Sequence, residues 1–303
     1  MIFIVMEIVI NREYILTVIV PITRMAGRLQ NLKDWVNAAV GTKAKIVLVH
    51  DVQDSDTSKE LNEFIDSVGS NQIIFIEKYF GSPGLSRNVG LEIVDTEWCC
   101  FWDSDDIPNV EKTIANIYNS KSGTEIIISN FKTESDQKST VIKHYSSLDQ
   151  VALNPGIWRM VFKTAAIKKE KFLDLRMGED QIFLLDIDIN YRKVEYSNDI
   201  TYSYVTEQEG QLTNQANLNS LSALSVIQKA VLNSRYNSTR FLAIIYIRLF
   251  LSSLKRLKFK YPKLILIKNF CFILRLSPGS VFFFLKSLLS SRRILHKVSV
   301  VTS

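Results

Sequence analysis

The stretch that decides the fold is GSPGLSRNVGLEIVDTEWCCFWDSDDIPN, residues 81–109. Its SRNVGLEIV segment predicts a helix, and EWCCFWD, residues 97–103, predicts a buried strand. Three carboxylates follow within four residues, at Asp103, Asp105 and Asp106. Carboxylates this close repel one another unless a cation holds them, and their oxygens suit Mg²⁺ or Mn²⁺. The cluster is therefore a candidate metal site, and a solvated acidic turn that caps the next helix is the alternative.

Upstream of this stretch, short β-branched runs alternate with amphipathic segments. The pattern predicts strands at 17–21, 45–51 and 72–77 and helices at 29–40 and 57–68. This alternation is typical of βαβ units and predicts an α/β fold with a mostly parallel sheet flanked by helices. Ligands of such sheets bind beyond the carboxyl ends of the strands, so residues 21–24, 50–56 and 103–106 should line one edge.

Downstream, EIIISN at 125–130 predicts a further strand, and the polar residues 132–150 predict a hairpin or an exposed insertion. RMGEDQIFLLDI then places Glu179 and Asp180 at a predicted helix start, where the helix dipole favours carboxylates. A purely capping role for this pair is the alternative to a chemical one.

Charge divides the chain into two halves. Residues 210–303 contain 15 basic residues and no acidic one, whereas residues 1–209 contain 22 basic residues against 31 acidic ones, a net charge of −9. We therefore predict two domains, 1–209 and 210–303. The second combines large apolar residues with isolated Lys and Arg and predicts an α-helical extension that lies on a membrane surface. A helical subdomain packed on the first domain is the alternative, and the scarcity of base-reading side chains argues against nucleic acid.

Cysteine and histidine offer little chemistry. Cys99, Cys100 and Cys271 form no disulfide framework and no zinc spacing, so they suit a reducing cytosol, with the first two as small core residues. The three histidines are too scattered for a metal cluster. The apolar first ten residues form a poor signal peptide; an extra edge strand, or a true start at Met6, explains them more simply.

Four motifs together carry a family resemblance. TVIVPIT, IVLVHDVQDSDT, the stretch at 81–109 and MGEDQIFLLDI follow, in order and spacing, the pattern of the family 2 glycosyltransferases. The match covers about 17–186 and none of the basic tail. The resemblance implies a GT-A fold and an inverting transfer of a sugar from a nucleotide-sugar donor, with Mg²⁺ or Mn²⁺ as cofactor.

The resemblance also implies roles for single residues. Asp180 matches the general base, beside Glu179 on the acceptor side. Asp105 and Asp106 match the metal-binding pair, with Asp103 the first member of the DxD motif. The donor and its nucleotide are assigned to Pro21, Thr23, Asp51, Arg87, Asn88, Asp103 and Asp105. Trp158, in GIWRMVFK, is an acceptor-side candidate that either stacks on a sugar or fills core.

Two departures from the family leave the nucleotide open, although a UDP-sugar is favoured. The usual VDDGS is replaced by His50-Asp51-Val52-Gln53-Asp54, and Thr23 stands where many members have an aromatic ring. His50 is either a base contact or a satisfied histidine at a strand end.

The basic tail predicts a cytoplasmic enzyme held on the inner face of the cell membrane. Its expected acceptor is a glycan or a lipid-linked oligosaccharide in capsule, O-antigen or similar surface-polysaccharide synthesis. A nucleotidyltransferase and a catalytically inactive, membrane-associated adaptor with the same fold are the competing hypotheses.

Overall fold

The computed structural model describes residues 13–135, 138–142, 147–175, 177–206, 220–237, 239–257 and 263–276, together with 279 and 282. It forms two compact units that interleave along the chain. The first contains Met1–Lys143, Gly156–Asp174 and Asp186–Thr206, and the second contains His144–Pro155, Leu175–Leu185 and Glu207–Ser303. The predicted domain division after residue 209 stays a prediction. The expectations for the first ten residues and for much of the basic tail lie outside the described residues.

The first unit is built on a nine-stranded sheet with the order β3-β2-β1-β4-β8-β6-β9-β5, and β7 pairs with β6. Its strands are β1 (Leu16–Ile22), β2 (Ala44–Asp51), β3 (Ile73–Lys78), β4 (Trp98–Phe101), β5 (Ile107–Pro108), β6 (Ile126–Ser135), β7 (Lys138–Ile142), β8 (Met160–Lys163) and β9 (Val194–Val205). Its helices are α1 (Gln30–Ala39), α2 (Ser55–Val68), α3 (Pro83–Glu92), α4 (Val110–Tyr118) and α6 (Thr164–Ile167).

The first four strands of this order are parallel, as the sequence predicts. β1 and β2 are apolar without alternation because both of their faces are buried. Helix α1 buries Leu32, Trp35 and Val36, the face expected from its spacing. The predicted strands and helices up to β4 lie within three residues of the observed ones, so this half of the sheet follows directly from the sequence.

The second half of the sheet is mixed. β8 runs antiparallel to both β4 and β6, and β6 pairs in parallel with β9. β7 folds back antiparallel on β6, so the polar segment that begins at residue 132 forms a hairpin. Parallel pairing thus occurs from β3 to β4 and between β6 and β9, and the other pairs of the sheet are antiparallel. β8 comes after β6 in the chain but lies between β4 and β6 in the sheet.

Cys99 and Cys100 lie on β4 and are fully buried. Their side chains point to opposite faces of the strand, so each enters a different layer of core. Burial raises the pKa of the Cys99 thiol to about 12 and raises that of Cys100 well above its usual value. Both residues are therefore unreactive packing groups in the folded chain, as predicted.

The second unit is helical in the part of the chain that is described. It contains α5 (Leu148–Leu153), α7 (Glu179–Asp186, whose last residue belongs to the first unit), α8 (Ser220–Leu232), α9 (Arg240–Leu257) and α10 (Lys263–Leu276). α9 packs against α5, α8 and α10. Phe241, Ile244 and Ile245 of α9 are buried in its core.

A buried polar cluster joins three of these helices. Gln228 of α8 donates one hydrogen bond to the Tyr246 hydroxyl of α9 at 2.5 Å and one to Asn269 Oδ1 of α10 at 3.2 Å. The Tyr246 hydroxyl in turn donates to Asn269 Oδ1. Helices that are apolar over much of their surface can slide along one another, and such a cluster fixes their register.

Helix α10 carries an exposed apolar face. Leu264, Ile267, Phe270 and Leu274 are 79%, 57%, 52% and 46% exposed, and the basic residues Lys268 and Arg275 border them. The described helices include none with the length and apolarity that crossing a bilayer requires.

Candidate functional site

The acidic loop, residues 103–106, follows β4 directly and is held by β9. The backbone N–H of Asp103 donates to the Tyr202 hydroxyl at 3.0 Å, and that hydroxyl donates to Asp106 Oδ2 at 2.8 Å. The other oxygen of Asp106 accepts a hydrogen bond from the backbone N–H of Val205 at 2.8 Å. Both ends of the loop are thereby connected to one strand.

Asp106 is fully buried. Burial, followed by the negative charges of Asp103 and Asp105, raises the pKa of its carboxyl well above the usual range, and the two hydrogen bonds from Tyr202 and Val205 oppose that rise. Each of its oxygens already has a protein donor, so the carboxyl anchors the loop. Its predicted role as a metal ligand stays a prediction.

Asp103 and Asp105 are the more accessible acids of the loop. Arg87 of α3 forms an ion pair with Asp103, with Nη2 at 2.9 Å from Oδ1. Asp105 is half-buried, and its carbonyl oxygen accepts a hydrogen bond from Asn31 at 3.4 Å. The described residues contain no group of three or more His, Cys, Asp or Glu side chains that could hold a metal on their own.

This donor set still fits a cation that shares its coordination with a ligand. Mg²⁺ is commonly held by one or two carboxylates together with substrate phosphates. Asp105, with Asp103 beside it, provides that number of carboxylates at the end of a strand.

Arg87 and Asn88 both contact Phe172. Asn88 Nδ2 donates to the Phe172 carbonyl, and the Phe172 N–H donates to Asn88 Oδ1, both at 2.8 Å. The Arg87 guanidinium carbon lies 5.6 Å from the centre of the Phe172 ring. Asn88 therefore fastens α3 to the segment after α6, while Arg87 orients Asp103. The predicted donor contacts of both residues stay predictions.

Asp51, at the end of β2, closes the loop that follows β3. Its carboxylate accepts hydrogen bonds from the backbone N–H of Phe80 at 2.7 Å and of Gly81 at 3.0 Å. The preceding His50 is fully buried, and its Nδ1 lies 3.1 Å from Glu77 Oε1. Its Nε2 is buried without a hydrogen-bond partner among the residues described. His50 is thus satisfied on one side of its ring only.

Pro21 and Thr23 are half-buried at the end of β1. The loop after them is held by α2, because Thr57 Oγ1 accepts hydrogen bonds from the backbone N–H groups of Met25 and Ala26 at 2.8 and 2.9 Å. The first unit therefore brings the carboxyl ends of β1, β2 and β4 to one edge, as expected for parallel neighbours.

Trp158 belongs to an aromatic layer of the first unit. Its ring stacks on Tyr202 at 4.6 Å and on Tyr204 at 5.4 Å between centroids, and it meets Phe131 edge-on at 4.7 Å. A Cβ at Gly156 would lie 2.5 Å from the indole, so only glycine allows this close approach. The sequence left core filling and sugar stacking open for Trp158; the packing shows the first, and the second stays a prediction.

Glu179 and Asp180 begin α7 in the second unit, as predicted. Glu179 is buried, and Asp180 Oδ1 accepts a hydrogen bond from the backbone N–H of Gln181 at 2.8 Å. Arg248 of α9 lies within electrostatic reach of Asp180 in the same unit. Burial lowers the pKa of Arg248 to about 10, and the negative charge of Asp180 opposes that change.

Gly178 sets the start of α7. It has a φ of +82°, and a Cβ there would lie 2.9 Å from the Ala223 Cβ of α8 and 3.2 Å from the Leu249 Cδ2 of α9. Both the backbone conformation and the close packing require glycine at this position.

Sequence reasoning missed Tyr202, Arg248 and the packing role of Gly178. The only signal for Tyr202 is the alternation of ITYSYV, which marks a strand face but not its partner in the chain. Arg248 is one basic residue among many in the tail. The roles of Tyr202, Arg248 and Gly178 are not visible without the fold, because their contacts join residues far apart in sequence.

No protein-family model matches the sequence. The sequence does match individual curated proteins. The chain is 21% identical over 239 residues to the poly(ribitol-phosphate) β-N-acetylglucosaminyltransferase TarP of Staphylococcus aureus strain N315, which covers 72% of each chain. It is 24% identical over 180 residues to TarS, a protein of the same description from strain Mu50. That match covers 56% of this chain and spans about a third of the length of TarS, 31%.

Solved structures show the same likeness. A crystal structure of S. aureus TarS residues 1–349 with UDP aligns with a TM-score of 0.66 at 18% identity, over 89% of this chain and 83% of the other. The mannosyltransferase PcManGT from Pyrobaculum calidifontis, solved with GDP-Man and Mn²⁺, aligns with a TM-score of 0.56 at 13% identity, over 89% and 82%.

The class that the fold and these relatives define is that of the glycosyltransferases with the GT-A fold. The predicted resemblance to this class and the predicted α/β fold are confirmed.

Proposed function

We propose that this chain is an inverting glycosyltransferase that moves a sugar from a UDP-sugar to a hydroxyl group of a surface glycopolymer. The observation that carries the proposal is the alignment with TarP over 72% of both chains, which spans far more than a single motif. The family motifs at 17–186 also support it. UDP-N-acetylglucosamine is the donor to test first, since TarS has been solved with it.

The reaction exchanges one bond for another. The acceptor hydroxyl oxygen attacks the anomeric carbon, the bond from that carbon to the diphosphate oxygen breaks, and UDP leaves with the bonding electron pair. Asp180 takes the proton of the attacking hydroxyl, because a neutral hydroxyl is a weak nucleophile. Attack on the face opposite the leaving group inverts the configuration at the anomeric carbon.

In the first unit, Arg87 orients Asp103, and Asp105 offers a half-buried carboxylate beside it. We assign the metal to Asp105 with Asp103, and Asp106 is the weaker of the predicted ligands because it is fully buried and both of its oxygens accept hydrogen bonds from β9. When bound, Mg²⁺ or Mn²⁺ would stabilise the negative charge that develops on the diphosphate.

The acceptor class that we propose is supported by the names of the relatives and by the charge of the segment after residue 209. TarS and TarP are named for poly(ribitol-phosphate), a polyanion, and all 15 charged residues after residue 209 are basic. We propose an acceptor of this kind, a hydroxyl-bearing polymer linked by phosphodiesters, ahead of the capsule and O-antigen glycans that the sequence suggested.

The test is release of free nucleotide from UDP-, GDP- and dTDP-sugars, with Mn²⁺ or EDTA, with and without poly(ribitol phosphate). We expect UDP release from one donor that requires both Mn²⁺ and the acceptor, and that is lost in Asp105→Ala. Asp66→Asn is the control, since Asp66 is an exposed acid on α2. Failure to bind or cleave any of these donors would overturn the proposal and favour the inactive adaptor.

We also propose that α10 holds the enzyme on the cytoplasmic face of an anionic membrane. Its exposed apolar residues are bordered by Lys268 and Arg275, the arrangement that binds the interface of an anionic bilayer. The full chain should sediment with vesicles that contain phosphatidylglycerol but not with pure phosphatidylcholine. An Ile267→Glu and Leu274→Glu double variant should lose this binding, and Leu232→Glu, an exposed position on α8, should keep it. Equal binding by all three proteins would contradict the proposal.

A further inference from the structure

One side chain outside the four family motifs contacts both ends of the acidic loop. The Tyr202 hydroxyl accepts a hydrogen bond from the N–H of Asp103, where the loop begins, and donates one to the carboxylate of Asp106, where it ends. Asp103 and Tyr202 are 99 residues apart in the chain, so this contact exists only in the folded protein. One hydroxyl group therefore bridges the loop between its two ends.

The aromatic ring of Tyr202 is fixed by packing. It is 2% exposed, it stacks on Trp158 with 4.6 Å between centroids, and it lies 6.5 Å from Trp102, the residue before the loop. A buried ring between two indoles has little rotational freedom, so its hydroxyl occupies one position.

The backbone of β9 fixes the residues that follow the loop. Pro108 pairs with Tyr202 and Ile107 with Ser203 in the β5–β9 ladder, and the N–H of Asn109 donates to the Thr201 carbonyl at 2.8 Å. The N–H of Val205 holds the second oxygen of Asp106. Strand β9 thus supports the end of the loop and its exit, and through the Tyr202 hydroxyl it also contacts the backbone at the start of the loop.

We propose that Tyr202 is the positioning residue of the donor site, which holds the acidic loop in the conformation that binds the metal and the diphosphate. This inference rests on the proposed function for the identity of the ligand. Asp106 serves as the anchor of Tyr202, which leaves Asp103 and Asp105 to face the ligand. Through its ring, Tyr202 also links the loop to Trp158, the acceptor-side candidate.

The test is Tyr202→Phe, which keeps the ring and removes both hydrogen bonds. Calorimetric titration of UDP in the presence of Mn²⁺ should show affinity about tenfold weaker, since the part-buried N–H of Asp103 and the buried carboxylate of Asp106 lose their partner. The Mn²⁺ concentration for half-maximal UDP binding and the KM for the donor should rise, while kcat changes less. Tyr191→Phe, the same change at a 70% exposed position of the same unit, should match the wild type.

A second variant tests whether Asp106 anchors the acidic loop or binds the metal. Asp106→Asn keeps the shape of the side chain and an acceptor for the Val205 N–H, but its amide nitrogen cannot accept the hydrogen bond from Tyr202. Mn²⁺-dependent UDP binding should therefore weaken no more than in Tyr202→Phe and should not be lost. Complete loss of that binding in a folded Asp106→Asn variant would make Asp106 a ligand and overturn its role as anchor.

The inference fails if Tyr202→Phe binds UDP and Mn²⁺ as the wild type does, or if it only lowers the thermal unfolding midpoint. A wild type that binds no nucleotide would instead contradict the proposed function itself.

Discussion

The two units use polar side chains in different ways. In the sheet unit, the carboxylates of the candidate site stand at or directly after strand ends, and β1 and residues 46–49 of β2 are mainly apolar. In the helical unit, Gln228, Tyr246 and Asn269 hydrogen-bond to one another between helices, inside the core.

The difference follows from how each unit fixes its register. A parallel sheet is aligned by its backbone ladder, so its register does not depend on polar side chains, and polar residues can collect at the strand ends where ligands bind. The backbone hydrogen bonds of a helix are made within that helix, so only side chains can set the register between two helices. The helical unit uses buried polar contacts for this alignment. The predicted functional residues lie at the strand ends and on α3 in the first unit and at the start of one helix, α7, in the second.

The largest expected effect tests whether the two units have different functions, catalysis in the helical unit and donor binding in the sheet unit. Asp180→Asn should lower kcat by about 10²- to 10⁴-fold, the range for loss of a general base. UDP binding in the presence of Mn²⁺ should be unchanged, because the predicted donor residues belong to the sheet unit. Rates of UDP release and calorimetric titration measure the two quantities. A matching loss of UDP affinity would show that Asp180 also serves donor binding and would break the division.

The next effect compares two glycines of nearly equal backbone conformation. Gly178 and Gly41 have φ of +82° and +84°, but a Cβ at Gly41 meets nothing within 4 Å. Gly41→Ala should lower the free energy of unfolding by about 1–2 kcal/mol through backbone strain. Gly178→Ala adds the clash with Ala223, so it should cost about 1–3 kcal/mol more. Urea unfolding followed by circular dichroism measures both, and equal losses would mean that α7 and α8 adjust freely.

The smallest effect tests the buried cluster of the helical unit. Tyr246→Phe removes the hydroxyl that joins Gln228 and Asn269, and it should lower the free energy of unfolding by about 1–2 kcal/mol. Tyr118→Phe, at a 61% exposed position, is the control and should have no effect. A stabilised Tyr246→Phe protein would show that the cluster costs free energy and serves alignment only.

The sequence predicts the part of the fold in which neighbours in the chain are neighbours in space. The strands and helices from residue 16 to 101 follow from continuous apolar runs and helical periodicity, since β1, β2 and β3 are joined by short crossovers. The position of β8 between β4 and β6 does not follow, because antiparallel insertion of a four-residue strand leaves no pattern of its own.

The candidate site is predictable to the same extent. Asp103, Asp105 and Asp106 stand out because they follow a buried strand, and Glu179 and Asp180 because they begin a helix. The difference between the three acids of the loop was not visible, since it depends on Tyr202, Val205 and Arg87, which reach the loop from other elements. Spacing identifies acids at a strand end, but only packing decides which of them faces a ligand.

The three cysteines give each unit its own chemical reporter. Cys271 is exposed on α10, so a thiol reagent should modify it at once in the folded chain. Cys99 and Cys100 are buried on β4 and hold their protons at physiological pH, so they react only when the sheet opens. Once Cys271 is blocked, the slower rate at which Cys99 and Cys100 are alkylated measures how often the sheet unit opens. Local unfolding of this unit can thus be followed without introducing any new cysteine.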